Sequence, residues 1–380
     1  QFRIRRRMNG YHALTDKVYQ SLIRPLLFRQ DPEEIHELTL NWLEKAEPFG
    51  SPRLCKLLYP PVPDLHRLKI ECFGLEFPNP VGIAAGLDKN AKIYNSLLSF
   101  GFGFVECGTI TPRSQTGNER PRVFRLLEDE ALINRLGFNN QGQDALLQRL
   151  HQRPKRGIVG INLGKNRDTS NEKAAEDYQR LLTAVWHTAS YVVINISSPN
   201  TPNLRELQGK TSLQRLLDYL FQTAHKLHLQ HPRQLPILLK IAPDLSDEAL
   251  HDLLDVVHQF PLAGVIATNT TLERNQLRSS HAQQTGGLSG RPLQNLSTQI
   301  LSKLYRELQG EPPLIGVGGV TDGKSAYDKI KAGATLLQVY TGLIYQGPGL
   351  ANRICRELLA YLDKDGYSHL SDAIGADHRF

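Results

Sequence analysis

The stretch Asn195-Ile196-Ser197-Ser198-Pro199-Asn200-Thr201 ends the apolar run Tyr191 to Ile196 in two serines framed by amides, with no His, Cys or acid among them. Each amide offers a donor and an acceptor, which suits the edge of a planar polar ligand, and a serine hydroxyl in their midst is available for proton transfer. A capped turn after a strand uses the same residue types, so the chemical reading needs support from elsewhere. Lys89 and Lys240 end two other apolar runs. Either suits a Schiff base in a carbon–carbon lyase. They stand among Asn, Thr and Gly, however, which serve a flat heteroaromatic ligand better than they serve a nucleophilic amine. Gly318 to Ser325 matches G-x-x-x-x-G-K-[ST], yet only the run Leu336 to Tyr340 follows and no acid ends it to hold magnesium, which disfavours nucleotide hydrolysis. His225, His228 and His231 recur at i, i+3 and i+6. Lys226 and Gln230 interleave them, the pattern of a solvated helix end, and no metal site is expected.

The elements that must position these groups read as eight strand-like runs alternating with helical segments: Val81 to Ala85, Phe102 to Cys107, Ile158 to Leu163, Tyr191 to Ile196, Ile237 to Ile241, Gly264 to Thr268, Leu314 to Val317 and Leu336 to Tyr340. Continuous apolar strands are buried on both faces, and this count and spacing fit an α/β fold of the closed (β/α)8 TIM-barrel type better than an open sheet. Chemistry in such barrels sits at the C-terminal strand ends. Those ends carry Ala85, Gly86, Lys89, Thr109, Asn162, Asn195, Lys240, Thr268, Asn269, Thr270, Gly318, Gly319, Tyr340 and Thr341. Glycines after strand seven and the end of strand eight suit a phosphate cup, so Gly318, Gly319, Tyr340 and Thr341 are read as phosphate ligands. The segment from about Thr111 to Asn140, rich in Arg and Asn and densest at Asn134 to Asn139, reads as a long loop that covers the mouth.

A chain of 380 residues with 40% hydrophobic content buries a large core. Four cysteines without C-x-x-C spacing suit a reducing compartment. The net charge of +7 is concentrated in residues 1–30, where Arg3, Arg5, Arg6, Arg7, Lys17, Arg24 and Arg29 face only Asp16. The nearly neutral remainder excludes a basic body for nucleic acid, and a basic end joined to apolar residues suits an anionic membrane surface. The only methionine is Met8, so residues 1 to 7 read either as the mark of an alternative start or as non-native additions. Between Tyr11 and Phe28, Leu14, Val18, Leu22 and Leu26 recur at helical spacing until Pro25 disturbs them. Asp31-Pro32-Glu33-Glu34 then predicts a capped helix, with Glu34 completing a capping box and Ile35, Leu38 and Trp42 on one face. Neither run approaches the roughly 20 apolar residues of a bilayer span. The pair reads as lying on a membrane, with a helical hairpin packed on the protein body as the alternative. These features divide the chain into a helical extension, residues 1–60, and a barrel domain, residues 61–380.

Taken in order, Ala84 to Lys89, Asn134 to Asn139, Asn195 to Thr201, Lys240 to Leu245, Thr268 to Thr271, Gly286 to Gly290, Val317 to Val320 and the C-terminal Ala373 to Asp377 resemble the dihydroorotate dehydrogenase family in its membrane-associated, quinone-reducing class. The resemblance implies FMN at the barrel mouth and oxidation of dihydroorotate to orotate, the fourth step of pyrimidine synthesis, by hydride transfer from substrate C6 to flavin N5 while a base removes the C5 proton. It makes Ser198 that base, where the soluble class carries Cys, and assigns the proton exit to Thr201 and Phe138. It gives Lys89, Asn134, Asn195, Asn200, Asn269 and Thr270 to the substrate. To the flavin it gives Ala85, Gly86, Thr109, Asn162, Lys240, Thr268, Gly290, Gly319, Tyr340 and Thr341, with Gly318 beside them. His36, Arg125 and Tyr340 match positions lining a tunnel for a membrane quinone beneath the two N-terminal helices. A monomeric peripheral membrane enzyme is implied, on the cytoplasmic face of the bacterial membrane or, in a eukaryote, at the mitochondrial inner membrane. Asn203 departs from the glycine common in relatives; Asn tolerates a left-handed backbone, so the loop fold is expected to survive. A Schiff-base lyase and a non-catalytic membrane protein stay open as alternatives.

Overall fold

The protein is described from a computed structural model over residues 15–152 and 157–379. The positions Arg3, Arg5, Arg6, Arg7, Met8, Tyr11 and Leu14 used above lie outside the described residues. Eight parallel strands close into a barrel: β1 (Val81–Ile83), β2 (Phe104–Ile110), β3 (Ile158–Leu163), β4 (Tyr191–Asn195), β5 (Ile237–Ile241), β6 (Gly264–Ala267), β7 (Leu314–Val317) and β8 (Ala334–Val339). Every residue of β2, β4 and β5 is buried, as continuous apolar runs require. The expected bounds of β3, β5 and β7 coincide with the structure, whereas β1, β4, β6 and β8 leave the ladder earlier at their C-terminal ends. There the chain turns outward to present side chains at the mouth. In contrast, β2 runs on to Ile110, and its register with β3 slips between Gly108 and Ile110, leaving Thr109 as the extra residue of a bulge.

A hairpin of Ile70–Cys72 with Leu75–Phe77 plugs the opposite end, where Phe77 meets Phe104 edge to face at 5.2 Å. The mouth is roofed by structure that the sequence reading treated as a long loop. Val123–Leu126 pairs with Ala131–Asn134, which pairs in turn with Gly287–Gly290 from the segment after β6. The alternation needed to recognise the first strand, Val-Phe-Arg-Leu, is present, but the sheet it joins is completed only by a strand far along the chain. The sheet carries its own small core of Phe124, Leu126, Ala131, Ile133 and Leu288.

Before the barrel, residues 15–27 form a helix interrupted by a π-helical turn, Tyr19–Ile23, just ahead of Pro25, which has no N–H for the regular ladder. Helix α1 (Pro32–Ala46) is capped by Asp31, whose Oδ1 alone accepts the N–H groups of Glu33 and Glu34, so the cap does not take the reciprocal capping-box form expected. Helix α2 (Ser51–Leu58) follows. These segments are tied to the body: Tyr19 Oη donates to Ile344 O at 2.8 Å, Arg24 Nη1 to Tyr345 O at 3.0 Å, and Asp16 pairs with Arg353 at 3.1 Å. Their outer faces carry large apolar side chains among charged ones such as Lys17, Arg29 and Lys56. Among the described residues, ten of the fourteen exposed large hydrophobic side chains, including Leu22 at 62% and Trp42 at 65%, lie between Val18 and Leu58, so the exposed apolar surface is concentrated there. Among the described residues no helix is long and apolar enough to cross a membrane.

Candidate active site

The parallel register that pairs Asn195 with Lys240 sets the end of β4 beside the end of β5 at the barrel mouth. Above them lies one cavity between the strand ends and the roof, lined by Lys89, Asn134, Phe138, Asn195, Ser198, Asn200, Lys240, Asn269 and Thr270, together with Ala85, Gly86, Thr109, Thr268, Gly290, Gly318, Gly319, Tyr340 and Thr341. Four of the residues singled out in the sequence lie outside that lining: Asn162, Thr201, His36 and Arg125.

Asn162 stands one layer below. Its Oδ1 accepts from Thr109 Oγ1 at 2.5 Å and Asn195 Nδ2 at 2.9 Å, while its Nδ2 donates to Glu106 Oε1 at 2.7 Å. The bulge in β2 thus turns Thr109 toward Asn162, and a buried polar network fixes the amide rotamers facing the cavity. Asn269 Nδ2 donates to Ser197 Oγ at 3.0 Å, and Asn200 Nδ2 to Asn134 Oδ1 at 3.2 Å, which carries the ring of amides across to the roof. Ser198 is buried, and its Oγ accepts the Asn200 N–H at 3.3 Å. Thr201 is buried as well, with an Oγ1 that has no partner among the described residues.

The two lysines differ. Lys89 donates to Gly86 O at 2.9 Å, and burial, reinforced by the charge of Arg122 against those of Glu33 and Asp88, brings its ammonium down to about 8. Burial also lowers Lys240, opposed by Glu106. Lys240 lines the cavity with no hydrogen bond among the described residues, so its ammonium is uncommitted. At the far end the backbone is bare: Gly318 (φ +111) and Gly319 (φ +73) adopt left-handed conformations, and a Cβ on Gly319 would run into Gln294 Cβ. Ser289 Oγ and Thr341 Oγ1 are hydrogen-bonded at 2.8 Å beside this cup.

His36 is carried by helix α1, and Arg125 by the roof strand Val123–Leu126. Burial, with the charge of Lys89, drives the His36 imidazole down to about 3, so it is neutral at ordinary pH. Arg125 donates to Gln30 O at 2.7 Å and lies over the Phe28 ring at 4.7 Å. Tyr340, which does line the cavity, has its hydroxyl raised to about 12 by burial.

Three features were given no role in the sequence reading. Gln338 lines the cavity with an Oε1 that has no partner among the described residues, and Glu106 accepts in the network beneath. Each is a polar residue inside an apolar strand run, a signal that was available. Glu33 was read only as part of a helix start, yet its carboxylate meets Arg122 in three contacts of 3.1, 3.0 and 2.6 Å, both side chains only 6% exposed. Arg122 also donates to Thr116 O and Asn118 O, each at 2.6 Å. Asn118 Nδ2 in turn reaches Asn200 O at 3.1 Å, so helix α1 is linked to the cavity wall. Burial raises the Glu33 carboxyl, but the hydrogen bonds and charge of Arg122, with Arg120 and Lys89, outweigh it and hold the group below its ordinary value.

The P-loop-like sequence is a helix start. Asp322 and Ser325 form a capping box on Gly323–Lys331, and Lys324 pairs outward with Asp328 at 2.7 Å. His228 Nδ1 contacts Arg233 O at 3.0 Å and His231 meets His187 edge to face, and among the described residues no group of three His, Cys, Asp or Glu side chains converges.

A sequence profile of the dihydroorotate dehydrogenase family matches residues 67–362. A protein of Christiangramia forsetii named dihydroorotate dehydrogenase (quinone) is 50% identical over 343 residues, covering 90% of this chain and 99% of its own length. One of the same name from Idiomarina loihiensis is 49% identical and covers 89% and 99%. Among solved structures, the dihydroorotate dehydrogenase of Eimeria tenella in complex with ferulenol superposes with a TM-score of 0.83 at 40% identity, covering 92% of this chain and 96% of that one.

Proposed function

Because the chain belongs to the dihydroorotate dehydrogenase family, we propose that the roofed cavity is where it oxidises dihydroorotate to orotate in pyrimidine biosynthesis, with FMN as its bound flavin and a membrane quinone as electron acceptor. The observation that carries the reading is the convergence of Ser198, four asparagine amides and two lysines on one cavity. The cavity suits FMN on three counts: bare glycine backbone at Gly318 and Gly319, the uncommitted ammonium of Lys240, and the unpartnered Oε1 of Gln338. Gly318, Gly319, Tyr340 and Thr341 would hold the phosphate, and Ala85, Gly86, Thr109, Asn162, Lys240, Thr268 and Gly290 the ring system. When bound, FMN supplies the acceptor for the hydride leaving substrate C6 and the route of the electron pair to the quinone.

The chain's own residues do the rest. Asn134, Asn195, Asn200, Asn269 and Thr270 bind the carbonyl and N–H edges of the pyrimidine ring, each amide able to give and to accept. Lys89 meets the substrate carboxylate. Ser198 Oγ takes the C5 proton. Serine is a poor base at its free pKa, so exclusion of water by the roof and a ready exit for the proton must assist it. Thr201, with its uncommitted buried hydroxyl, receives that proton while Phe138 walls the path.

The concentration of exposed apolar side chains between Val18 and Leu58 supports docking of the helical extension, residues 1–60, on a membrane surface, where quinone passes His36, Arg125 and Tyr340 toward the flavin of the barrel domain, residues 61–380. On this reading the protein is a monomeric peripheral enzyme on the cytoplasmic face of a bacterial membrane or at the mitochondrial inner membrane.

The test is the anaerobic visible spectrum of the purified protein before and after dihydroorotate. A flavin band that bleaches on addition is the expected result; a band that persists refutes the substrate, and no band after supplying FMN refutes the cofactor.

A further inference from the structure

Lys329 is a fully buried lysine that no step above uses. It lies on the helix Gly323–Lys331, and its Nζ donates to Ser297 Oγ at 2.7 Å and Thr298 Oγ1 at 2.9 Å on the helix Gln294–Leu308. Among the described residues it has no ion-pair partner. The charged group that acts on it is its neighbour Asp328, which is engaged outward with Lys324. Lysines are almost never fully buried without a partner, since a desolvated ammonium offered only neutral hydroxyls is costly. Burial accordingly brings its pKa down to about 7. The hydroxyl it holds borders the phosphate cup: Ser297 Oγ lies 3.1 Å from Gly318 O and 3.1 Å from Gln294 O of its own helix, and its one proton is shared between them. The packing is close on every side. A Cβ on Gly316 would meet Lys329 Cδ at 3.2 Å, and one on Gly318 would meet Ser297 Oγ at 2.7 Å.

We infer that Lys329 is the buried countercharge of the FMN phosphate, a positioning residue that acts on the anion through Ser297 and the Gly318–Gly319 turn. The inference rests on the FMN reading of the cavity and adds to it the source of the phosphate's charge compensation. Backbone N–H groups alone bind a phosphate as dipoles, whereas a cation in a dry interior acts on it through a low effective dielectric. The same coupling runs in reverse: the anion above the cup favours the ammonium form of Lys329, so the two charges stabilise one another.

The experiment compares FMN with riboflavin, which shares the ring system and lacks the phosphate. Flavin is removed, and each ligand is titrated back by fluorescence into the wild type and Lys329→Met, whose side chain keeps the length without the charge. The expected result is FMN binding about ten- to a hundredfold weaker in the variant, with riboflavin binding unchanged. Equal losses for both ligands, or none for either, overturn the inference and leave the FMN reading standing. A wild type that binds neither ligand overturns both. Should the variant fail to fold, calorimetry on the wild type at pH 8 in two buffers of different ionisation enthalpy decides. FMN should take up more protons than riboflavin, because its phosphate is already dianionic and the ring-facing lysines are common to both ligands. Equal uptake overturns the inference.

Discussion

The pair between Glu33 and Arg122 makes a quantitative prediction about the extension. Glu33→Gln keeps the shape of the side chain and removes its charge, leaving the Arg122 guanidinium buried beside an amide. Breaking a buried ion pair by removing one partner costs about 3–5 kcal/mol. Arg122 keeps its bonds to the Thr116 and Asn118 carbonyls, so the lower end, about 3 kcal/mol, is expected. For 380 residues an unfolding entropy of about 2.1 cal/mol/K per residue gives roughly 0.8 kcal/mol/K, so the melting temperature should fall by about 4 °C. Exchange of backbone amides in residues 115–122 should accelerate, and the affinity for dihydroorotate should weaken because Asn118 holds the Asn200 carbonyl. Glu37→Gln, which touches only the exposed arm of Arg120, is the control and should cost under about 0.5 kcal/mol. The pH dependence has a definite sign. The Glu33 carboxyl is lowered in the folded protein, so its contribution is complete above the unfolded carboxylate range and lost as pH falls through the folded value, and the wild-type and variant melting curves must converge in acid. Thermal denaturation monitored by circular dichroism across pH 3–8 measures this. A fall of less than 1 °C at neutral pH, or a gap that stays constant into acid, would refute the reasoning.

Three further outcomes are expected. Ser198→Ala should retain its flavin and lose about 10²–10⁴ in the rate of flavin reduction by dihydroorotate, read by anaerobic stopped flow; unimpaired reduction removes Ser198 as the base. Lys89 is brought down to about 8 in the free protein, and a carboxylate binds its protonated form, so dihydroorotate affinity should be greatest below about pH 8 and decline above it. A flat binding profile from pH 6 to 10 would contradict that role, and Lys89→Gln should abolish the slope. Leu22→Glu with Leu26→Glu should release the protein from anionic vesicles in flotation, since each buried leucine is worth about 1.5–3 kcal/mol, while flavin reduction by dihydroorotate is untouched; undiminished flotation argues against the membrane face.

The barrel was legible because its strands are continuous apolar runs, a signal carried by neighbours in sequence. The glycine and amide strand ends then located the mouth. The departure at Asn203 was legible too: its φ of +56 is the left-handed conformation that Asn tolerates, at the position where the resemblance implies glycine. The roof was not, because Leu132 pairs with Ser289 and only long-range register makes a strand of a segment that reads locally as a polar loop. Nor was the Glu33–Arg122 pair, since charge complementarity between residues far apart in sequence has no periodic signature. Lys329 was hidden for a simpler reason: a lysine in a helix reads as surface unless its neighbours across the fold are known.

The roof has a consequence for time rather than for affinity. Because two of its strands come from the segment after β2 and the third from the segment after β6, a cofactor that leaves by way of the roof must unzip this sheet and expose its small apolar core. On that route the escape rate is the opening rate of the roof, whatever the equilibrium constant below it. A cofactor captured as the lid closes would survive dilution and chromatography without any covalent tether, whereas the substrate, reached past the loop that carries Asn200, could turn over many times during a single cofactor's residence.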